Sequence, residues 1–273
     1  MKNILLLLFV MIIGINSNSQ TSPANGKLII IGGGDIPDTI YSIFATHCGG
    51  KDQPIVVIPT ATGDEEWIRS GGHLKKFSDR GFTNLTTIHT RDKAKADDPE
   101  FLKTVSNAKG IFFGGGDQER LAQAYAGTAL HKAMLELLDR GGAIMGTSAG
   151  ATIMGSVLIG GHHRKSPNKI HEFPAGLAFI DKTAIDQHVL VRNRQFDLLP
   201  VLEADPSLFG LAVDESTAAI VEKGVLTVAG ESYVLVYDQQ DWAKQKKDWG
   251  RVYMPFKMIR KGGSFDLKSK LIR

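Results

Sequence analysis

One serine in this 273-residue chain carries the strongest signal for covalent chemistry. Ser148 lies in the sequence GTSAG at residues 146–150, with a glycine two positions away on each side and largely apolar runs before and after. This is the pattern of a nucleophile elbow, in which a buried strand turns sharply into a helix. The turn projects the serine hydroxyl clear of the sheet and aims the N–H of Ala149 at a forming oxyanion. Small residues in such a turn also serve plain packing, but the pattern favours a serine hydrolase.

A glycine-rich turn, GGGDQ at residues 114–118, follows a predicted strand and is the candidate second half of an oxyanion hole. Glycines let main-chain N–H groups approach a ligand closely, so Gly115 and Gly116 are expected to complete the hole with Ala149. A phosphate cradle is the rival use. The lysine and hydroxyl residue of a P-loop are missing, however, and the glycines at 32–34 lack the spacing of a dinucleotide-binding fingerprint.

A general base for Ser148 must be found among eight histidines, of which His188 is the last in the chain. His188 ends a predicted strand at residues 183–188, whose carboxyl end should meet the elbow. Arg192 and Arg194 follow at the start of a predicted helix. An ordinary α/β-hydrolase places its histidine far downstream, after the acid, so the position of His188 disfavours that superfamily.

The elements that must position these residues alternate regularly along the chain. Apolar runs predict strands at residues 27–31, 54–58, 85–88 and 110–113. Helices are predicted at residues 38–47, 64–80 and 117–140. Continuous apolar strands separated by helices indicate an α/β fold with a mostly parallel, doubly wound sheet and helices on both faces. Short strands at 210–213, 218–221, 225–228 and 233–237 predict an antiparallel C-terminal extension of the same sheet.

The first residues and the composition bound the function classes. A basic start, an apolar stretch and a polar exit within residues 1–20 predict a signal peptide, so that residues 21–273 form one domain that is secreted or periplasmic. The formal net charge of +3 is too mild to indicate nucleic acid or an anionic membrane surface as partner, and the apolar stretch is too short for an integral membrane anchor. Cys48 is the only cysteine, and no CxxC or HExxH spacing indicates a metal, so we expect no disulfide, metal or cofactor.

Four motifs occur together in a characteristic order. They are GGGDQ (114–118), GTSAGA (146–151), DQHVLVRNR (186–194) and GLAVDESTAAIV (210–221). In order and approximate spacing the chain resembles the cyanophycinase family of serine peptidases, which is related to dipeptidase E and built on a class I glutamine amidotransferase-like scaffold. The resemblance covers nearly all of residues 21–273.

The resemblance implies roles for individual residues. Ser148 would be the nucleophile and His188 the general base. The residues implied in the substrate pocket are Gln118, Asp186, Gln187, Arg192 and Arg194. The implied substrate is cyanophycin, a polyaspartate whose side chains carry arginine in isopeptide linkage, or a small aspartyl or isoaspartyl dipeptide. A peptide is therefore the expected partner, and a homodimer is a possible assembly.

One departure concerns the acid of the triad. The family pattern places a carboxylate in the loop after the elbow helix, but residues 160–169 contain none. Glu172 is the first carboxylate after Ser148 and is predicted to orient His188, with Asp214 and Glu215 ranked below it. A serine–histidine pair without an orienting acid loses several orders of magnitude in turnover. A catalytically weakened peptide-binding homologue is therefore the non-enzymatic alternative.

Overall fold

The structure, a computed structural model, describes residues 23, 25–159, 175–238 and 254–273. In these residues the strands form one sheet of nine strands and one of four. The parallel part of the larger sheet contains β1 (Lys27–Ile31), β2 (Ile55–Ile58), β3 (Leu85–Thr87), β4 (Gly110–Phe113) and β5 (Ala143–Thr147). The predicted signal peptide and Glu172 lie outside the described residues.

The parallel strands lie side by side in the order β1-β5-β4-β2-β3. Successive side chains of a strand point to opposite faces, and β1 shows this clearly. Leu28 and Ile30 belong to the apolar core on one face, whereas Ile29 and Ile31 belong to the core on the other. Both faces of the sheet are therefore covered, which confirms the predicted doubly wound arrangement.

Helices supply the other half of each core. They are α1 (Asp38–Cys48), α2 (Glu65–Arg69), α3 (Gly72–Ser78), α4 (Pro99–Asn107), α5 (Gln118–Tyr125), α6 (Ala129–Asp139), α7 (Ala149–Thr152) and α8 (Leu199–Ala204), with a 3-10 helix at Lys93–Asp97. Phe44 of α1 and Phe77 of α3 pack on the face that holds Ile29. Leu121 of α5 and Leu130 of α6 pack on the opposite face.

Two of the predicted helices are each divided by a glycine. The helix predicted over 64–80 is broken at Gly71, and the one predicted over 117–140 is broken at Gly127. Both glycines have a φ of +73°, which a right-handed helix does not admit. The helix predicted to begin near Arg192 is also wrong, because residues 189–198 form turns and α8 begins only at Leu199.

The later strands divide between the two sheets. They are β6 (Thr183–Gln187), β7 (Phe209–Val213), β8 (Thr217–Glu222), β9 (Val225–Gly230), β10 (Tyr233–Asp238), β11 (Lys257–Arg260), β12 (Ser264–Asp266) and β13 (Leu271–Ile272). Strand β8 pairs antiparallel with β1 and β9 pairs with β8, as in the predicted extension, while β12 and β13 continue that sheet beyond the predicted strands. The second sheet contains the other strands, in the order β11-β10-β7-β6. The prediction that all the later strands extend one sheet was therefore only partly correct.

The chain crosses from the second sheet to the first between β7 and β8. At this crossing Gly32 packs so closely that an added Cβ would lie 2.2 Å from the carbonyl oxygen of Asp214. The carboxyl ends of β6 and β7 therefore meet the carboxyl end of β1. Within the described residues, no helix is both long enough and apolar enough to cross a membrane.

Candidate active site

Ser148 lies between β5 and α7, at the sharp turn that the GTSAG sequence predicts. Its φ of 55° and ψ of −115° are unusual for a residue with a side chain, and its N–H donates to the carbonyl of Ile31 at 3.0 Å. The flanking glycines are required by packing. A Cβ at Gly146 would lie 2.2 Å from the Gly150 oxygen, and one at Gly150 would lie 2.2 Å from the Phe113 oxygen.

His188 follows β6 directly and faces Ser148. Its Nε2 lies 3.0 Å from the Ser148 Oγ, which is hydrogen-bonding distance. The main-chain N–H of His188 donates to the carbonyl of Gly32 at 2.9 Å, and this bond holds the second sheet against the end of β1. The ring lies on Gly33, where an added Cβ would be 2.1 Å from the imidazole Cε1. The glycines at 32–34 thus make room for a histidine.

Glu215, in the turn between β7 and β8, contacts the other side of the imidazole. The Nδ1 of His188 lies 2.5 Å from the Glu215 Oε1. The turn is fixed to β1, because the N–H of Ser216 donates to the carbonyl of Gly33 at 2.9 Å. An added Cβ at Gly34 would lie 2.9 Å from the Glu215 Oε2, so this glycine too makes room for the site.

This geometry offers a source of the acid other than the predicted one. Glu172 lies outside the described residues, and the Nδ1 position for which it was predicted is filled by Glu215. Asp214 has a different task. One of its carboxylate oxygens accepts from the N–H groups of Leu190 and Val191, and the other accepts from the hydroxyl of Ser232. Asp214 therefore shapes the turn after His188 but does not contact the imidazole.

The surroundings of His188 favour its neutral form. Burial is the largest effect and lowers its pKa, and the cationic Arg192 and Arg194 lower the pKa further. The hydrogen bond and charge of Glu215 act in the opposite direction. A neutral ring that donates its Nδ1–H to Glu215 leaves the Nε2 lone pair directed at the Ser148 hydroxyl. That is the state a general base needs.

The residues predicted to form an oxyanion hole lie on the two turns next to Ser148. Gly115 lies against the serine, since an added Cβ would be 3.3 Å from the Ser148 Cβ. Ala149 begins α7, so its N–H has no partner within that helix. Gly116 is the next residue of the same turn. With a φ of +140°, it packs against Ala61, where an added Cβ would lie 2.2 Å from the carbonyl oxygen.

The predicted substrate-pocket residues lie on three segments, which are β6, the turns that follow it and the start of α5. Asp186 and Gln187 are buried at the end of β6, and the carboxylate of Asp186 accepts from the N–H of Gln187. Arg194 reaches back to the carbonyl of Gln187 at 3.4 Å, while Arg192 is exposed. Gln118, at the start of α5, donates its side-chain amide to the carbonyl of Ile159 at 3.0 Å. Four of the five are thus neighbours of His188 along the chain.

Neither the cysteine thiol nor a metal cluster offers an alternative centre in the part of the chain that the structure describes. Cys48 is buried at the end of α1, and burial raises the pKa of its thiol to about 12, so it is not a thiolate at neutral pH. No group of three or more histidine, cysteine or acidic side chains among the described residues is arranged to hold a metal ion.

The sequence matches a peptidase family over most of its length. The model of peptidase family S51 matches residues 28–229. A cyanophycinase of Geminocystis herdmanii is 35% identical over 199 residues, which cover 71% of this chain and 73% of that protein. A cyanophycinase of Synechococcus elongatus is 33% identical over 229 residues, which cover 81% of this chain and 71% of that protein.

Two solved structures share the fold. A peptidase from an acI-B1 actinobacterium superposes with a TM-score of 0.71 at 21% identity, covering 90% of this chain and 98% of that one. A putative peptidase E protein from Listeria monocytogenes superposes with a TM-score of 0.57 at 18% identity, covering 76% of this chain and 99% of that one. At these identities the likeness concerns the architecture.

Proposed function

The chain belongs to peptidase family S51 and is a serine-type peptidase, and from this premise we propose that it hydrolyses cyanophycin or related aspartyl and β-aspartyl peptides through an acyl-enzyme on Ser148. One observation carries the mechanism. The Ser148 Oγ, the His188 imidazole and the Glu215 carboxylate are joined in series by contacts of 3.0 and 2.5 Å. The named activity of the relatives supports the substrate class.

The first half of the proposed reaction forms the acyl-enzyme. The Ser148 hydroxyl gives its proton to His188 Nε2 while its oxygen forms a bond to the scissile carbonyl carbon. The carbonyl oxygen becomes an anion, which the N–H groups of Gly115 and Ala149 stabilise. The C–N bond then breaks, and the leaving amine takes the proton back from Nε2. Glu215 remains a carboxylate and stabilises the imidazolium between these steps.

The second half releases the acyl group. Water occupies the place of the amine, gives a proton to His188 Nε2 and attacks the ester carbon. The bond to the Ser148 oxygen breaks as that oxygen recovers the proton, and a free carboxylic acid leaves. Both halves use the same groups, so the serine, the base and the oxyanion N–H groups act as one unit.

Arg192 and Arg194 support an acidic peptide as the substrate. Guanidinium groups recognise carboxylates by paired, charge-assisted hydrogen bonds. The two arginines follow His188 within six residues, and the Arg194 guanidinium reaches the carbonyl of Gln187, the residue before His188. An aspartyl or β-aspartyl residue presents a carboxylate near the scissile bond, which these cations would bind.

A dipeptidase for short aspartyl or isoaspartyl peptides is the second candidate. The specific observation in its favour is the architecture shared with a putative peptidase E protein. We further propose that residues 1–20 direct export and are removed, on the basic, apolar and polar order of that segment.

A substrate panel tests the proposal. The purified chain and a Ser148→Ala variant are incubated with insoluble cyanophycin, with β-Asp-Arg, and with matched α-Asp-X and β-Asp-X dipeptides. Release of dipeptides from cyanophycin by the wild type alone supports the first candidate. Cleavage of dipeptides without the polymer supports the second. Binding without any Ser148-dependent cleavage would overturn the proposal and leave a peptide-binding homologue.

A further inference from the structure

A buried turn packs against the oxyanion turn, which is the segment of residues 114–117 that carries Gly115. This neighbouring turn, residues 59–62, follows β2 at the carboxyl edge of the parallel strands. Thr60 and Ala61 within it are both fully buried. Thr60 places a hydroxyl in this buried position, although no step of the proposed reaction involves it.

Ala61 connects the two turns. Its carbonyl oxygen accepts the main-chain N–H of Asp117 at 2.8 Å and the guanidinium of Arg120 at 2.9 Å. Gly116 lies so close to the same carbonyl that an added Cβ would be 2.2 Å from its oxygen. Because no gap between the two turns could absorb a displacement of Ala61, the oxyanion turn must follow it.

Such a displacement would reach the nucleophile. Gly115 packs against Ser148, since an added Cβ at Gly115 would lie 3.3 Å from the Ser148 Cβ. In the proposed reaction the N–H of Gly115 stabilises the oxyanion, and such a donor must lie about 2.7–3.1 Å from that oxygen. A shift of roughly 1 Å in a positioned group can cost about 10²-fold in rate. The rate of the chemical step therefore depends on where Ala61 lies.

The side chain of Thr60 joins the turn at residues 59–62 to two other elements. Its hydroxyl oxygen lies 2.6 Å from the hydroxyl of Tyr125, at the end of α5. The same oxygen lies 2.9 Å from the Nδ1 of His89, which follows β3. The side chain of Tyr125 is also fully buried, so this hydrogen bond is shielded from water.

These groups form a line of hydrogen bonds that runs in one direction. The His89 Nε2 lies 3.1 Å from a carboxylate oxygen of Glu65, which only accepts, so Nε2 carries a proton. In the neutral imidazole Nδ1 is then the acceptor for the Thr60 hydroxyl. Burial is the largest effect on Tyr125 and raises the pKa of its hydroxyl, which keeps its proton and donates to the Thr60 oxygen. The Thr60 hydroxyl thus accepts one bond and donates the other, which fixes its orientation.

We propose that Thr60 is a positioning residue for the oxyanion turn. Tyr125 and His89 hold its hydroxyl in place. Through Ala61, these bonds fix the turn that carries the Gly115 N–H. The inference rests on the proposed peptidase reaction and adds a residue on which the rate of that reaction depends. Because Thr60 acts through the main chain, its loss should slow the chemical step without weakening the binding of substrate.

The rate at which a fluorophosphonate labels Ser148 tests this role. The serine oxygen forms a bond to phosphorus, fluoride leaves, and the serine proton passes to His188, while the phosphoryl oxygen occupies the place of the oxyanion. Labelling therefore reports the site without knowledge of the peptide substrate. Thr60→Val keeps the size of the side chain and removes the hydroxyl. We expect its maximal labelling rate to fall about 10–100-fold, with the reagent concentration at half-maximal rate little changed.

Matched variants show whether the hydroxyl of Thr60 is responsible. Thr60→Ser keeps the hydroxyl and should label at close to the wild-type rate. Thr183→Val is the control, because it removes a fully buried threonine hydroxyl that donates to the carbonyl of Asp181 at 2.8 Å, at the amino end of β6. Both valine variants should lower the thermal midpoint, whereas only Thr60→Val should slow labelling. Tyr125→Phe removes a single bond of the line and is the milder test if Thr60→Val does not fold.

The main-chain amide of Gly115 provides a readout that does not depend on turnover. The protein is prepared with isotope-labelled glycine, and the Gly115 signal in the proton–nitrogen correlation spectrum is assigned by its loss in Gly115→Ala. We expect this signal to shift in Thr60→Val and Tyr125→Phe. It should keep nearly its wild-type position in Thr60→Ser and in Thr183→Val.

The outcomes separate the positioning role from the proposed peptidase function. Labelling of Thr60→Val at the wild-type rate, equal slowing in Thr183→Val, or slow labelling that persists in Thr60→Ser would overturn the role of Thr60 even if the wild type cleaves peptides. A wild-type chain whose Ser148 takes no label would overturn the proposed function. In that case a Gly115 signal that depends on the Thr60 hydroxyl still supports the positioning role, and a signal that does not depend on it overturns that role.

Discussion

At the scale of residues, three strained main-chain positions hold the site in place. Ser148, His188 and Ser216 have φ values of 55°, 55° and 54°, although none is glycine. Such conformations cost on the order of 1–3 kcal/mol each and persist where the surrounding structure dictates them. Here the N–H of each residue is bonded to a carbonyl at residues 31–33, so the end of β1 fixes all three.

The acid is tested by Glu215→Gln. The amide keeps the size of the side chain but cannot stabilise an imidazolium, and it lets the histidine adopt the wrong tautomer. We expect kcat to fall by about 10³–10⁴-fold with KM little changed, as for the corresponding change in a serine protease triad. Glu172→Gln is the comparison variant and should keep wild-type turnover. The reverse pattern would restore Glu172 as the orienting acid.

The pH dependence of kcat/KM reports the protonation of His188. The ring must be neutral to accept the serine proton, so activity is lost as the pH falls through its pKa. Burial and the arginines lower that pKa, so we expect the acid limb below the ordinary histidine value of about 6.5. Arg192→Gln removes one of the lowering charges and should move the limb to higher pH.

The control for this shift is Arg69→Gln, a change to an exposed arginine that pairs with Glu66. It should leave the pH profile of kcat/KM in place. A limb that stays fixed in Arg192→Gln, or moves to lower pH, would contradict the electrostatic role given to Arg192.

Sequence patterns identified two of the three aligned side chains for a physical reason. Ser148 is marked by local constraints, because its flanking glycines are needed by the turn itself, and His188 ends a strand. Glu215 becomes a neighbour of His188 only because β8 pairs with β1 while β7 pairs with β6. Such pairing between distant segments has no local sequence signal, although the carboxylate itself was visible in the DES sequence at 214–216.

At the scale of elements, glycines decide how closely the turns approach. Gly71 and Gly127 were placed inside predicted helices, because apolar periodicity alone does not reveal where the main chain takes a positive φ. Strand boundaries were easier to predict from the sequence, and β1 and β4 begin and end at the predicted residues. The turn at 32–34 had no assigned role in the sequence analysis, and only the structure shows that Gly33 makes room for the His188 ring.

The Gly33→Ala variant tests whether the His188 ring needs the space that this glycine leaves. An added methyl group would occupy the position of the His188 ring, so we expect turnover to fall by orders of magnitude while the protein still folds with reduced stability. Gly127→Ala is the matched control. It places alanine at a positive φ with nothing within 4 Å of the new Cβ. It should cost about 1 kcal/mol of unfolding free energy and leave kcat unchanged. Full activity in Gly33→Ala would contradict the role given to Gly33 in positioning His188.

At the scale of the whole molecule, the candidate active site lies where the strand ends of the two sheets meet. The larger sheet supplies Ser148 at the end of β5, and the smaller sheet supplies His188 at the end of β6. Glu215 lies on the connection between them. The doubly wound core was predictable from apolar runs, whereas the division of the later strands into two sheets was not. Short strands carry too little pattern to specify their partners.

The proposed export is tested by a separate measurement. Mass spectrometry of the protein from its native cell should find a mature N-terminus between about Asn18 and Asn25, a window set by the low precision of such boundaries. The cell fraction outside the cytoplasmic membrane should contain this form. Cytoplasmic protein with Met1 intact would contradict export and would leave the peptidase mechanism unaffected.

Replacement of the nucleophile tests the central claim most directly. Ser148→Ala removes one oxygen at a turn whose geometry the glycines maintain, so the thermal midpoint should barely change. Hydrolysis of the best peptide in the substrate panel should disappear, and a fluorophosphonate that labels Ser148 in the wild type should no longer attach. His188→Ala should lose a similar amount of turnover, and the double variant little more, because the pair acts as one unit. Retained hydrolysis in a well-folded Ser148→Ala protein would contradict the assignment of Ser148 as nucleophile.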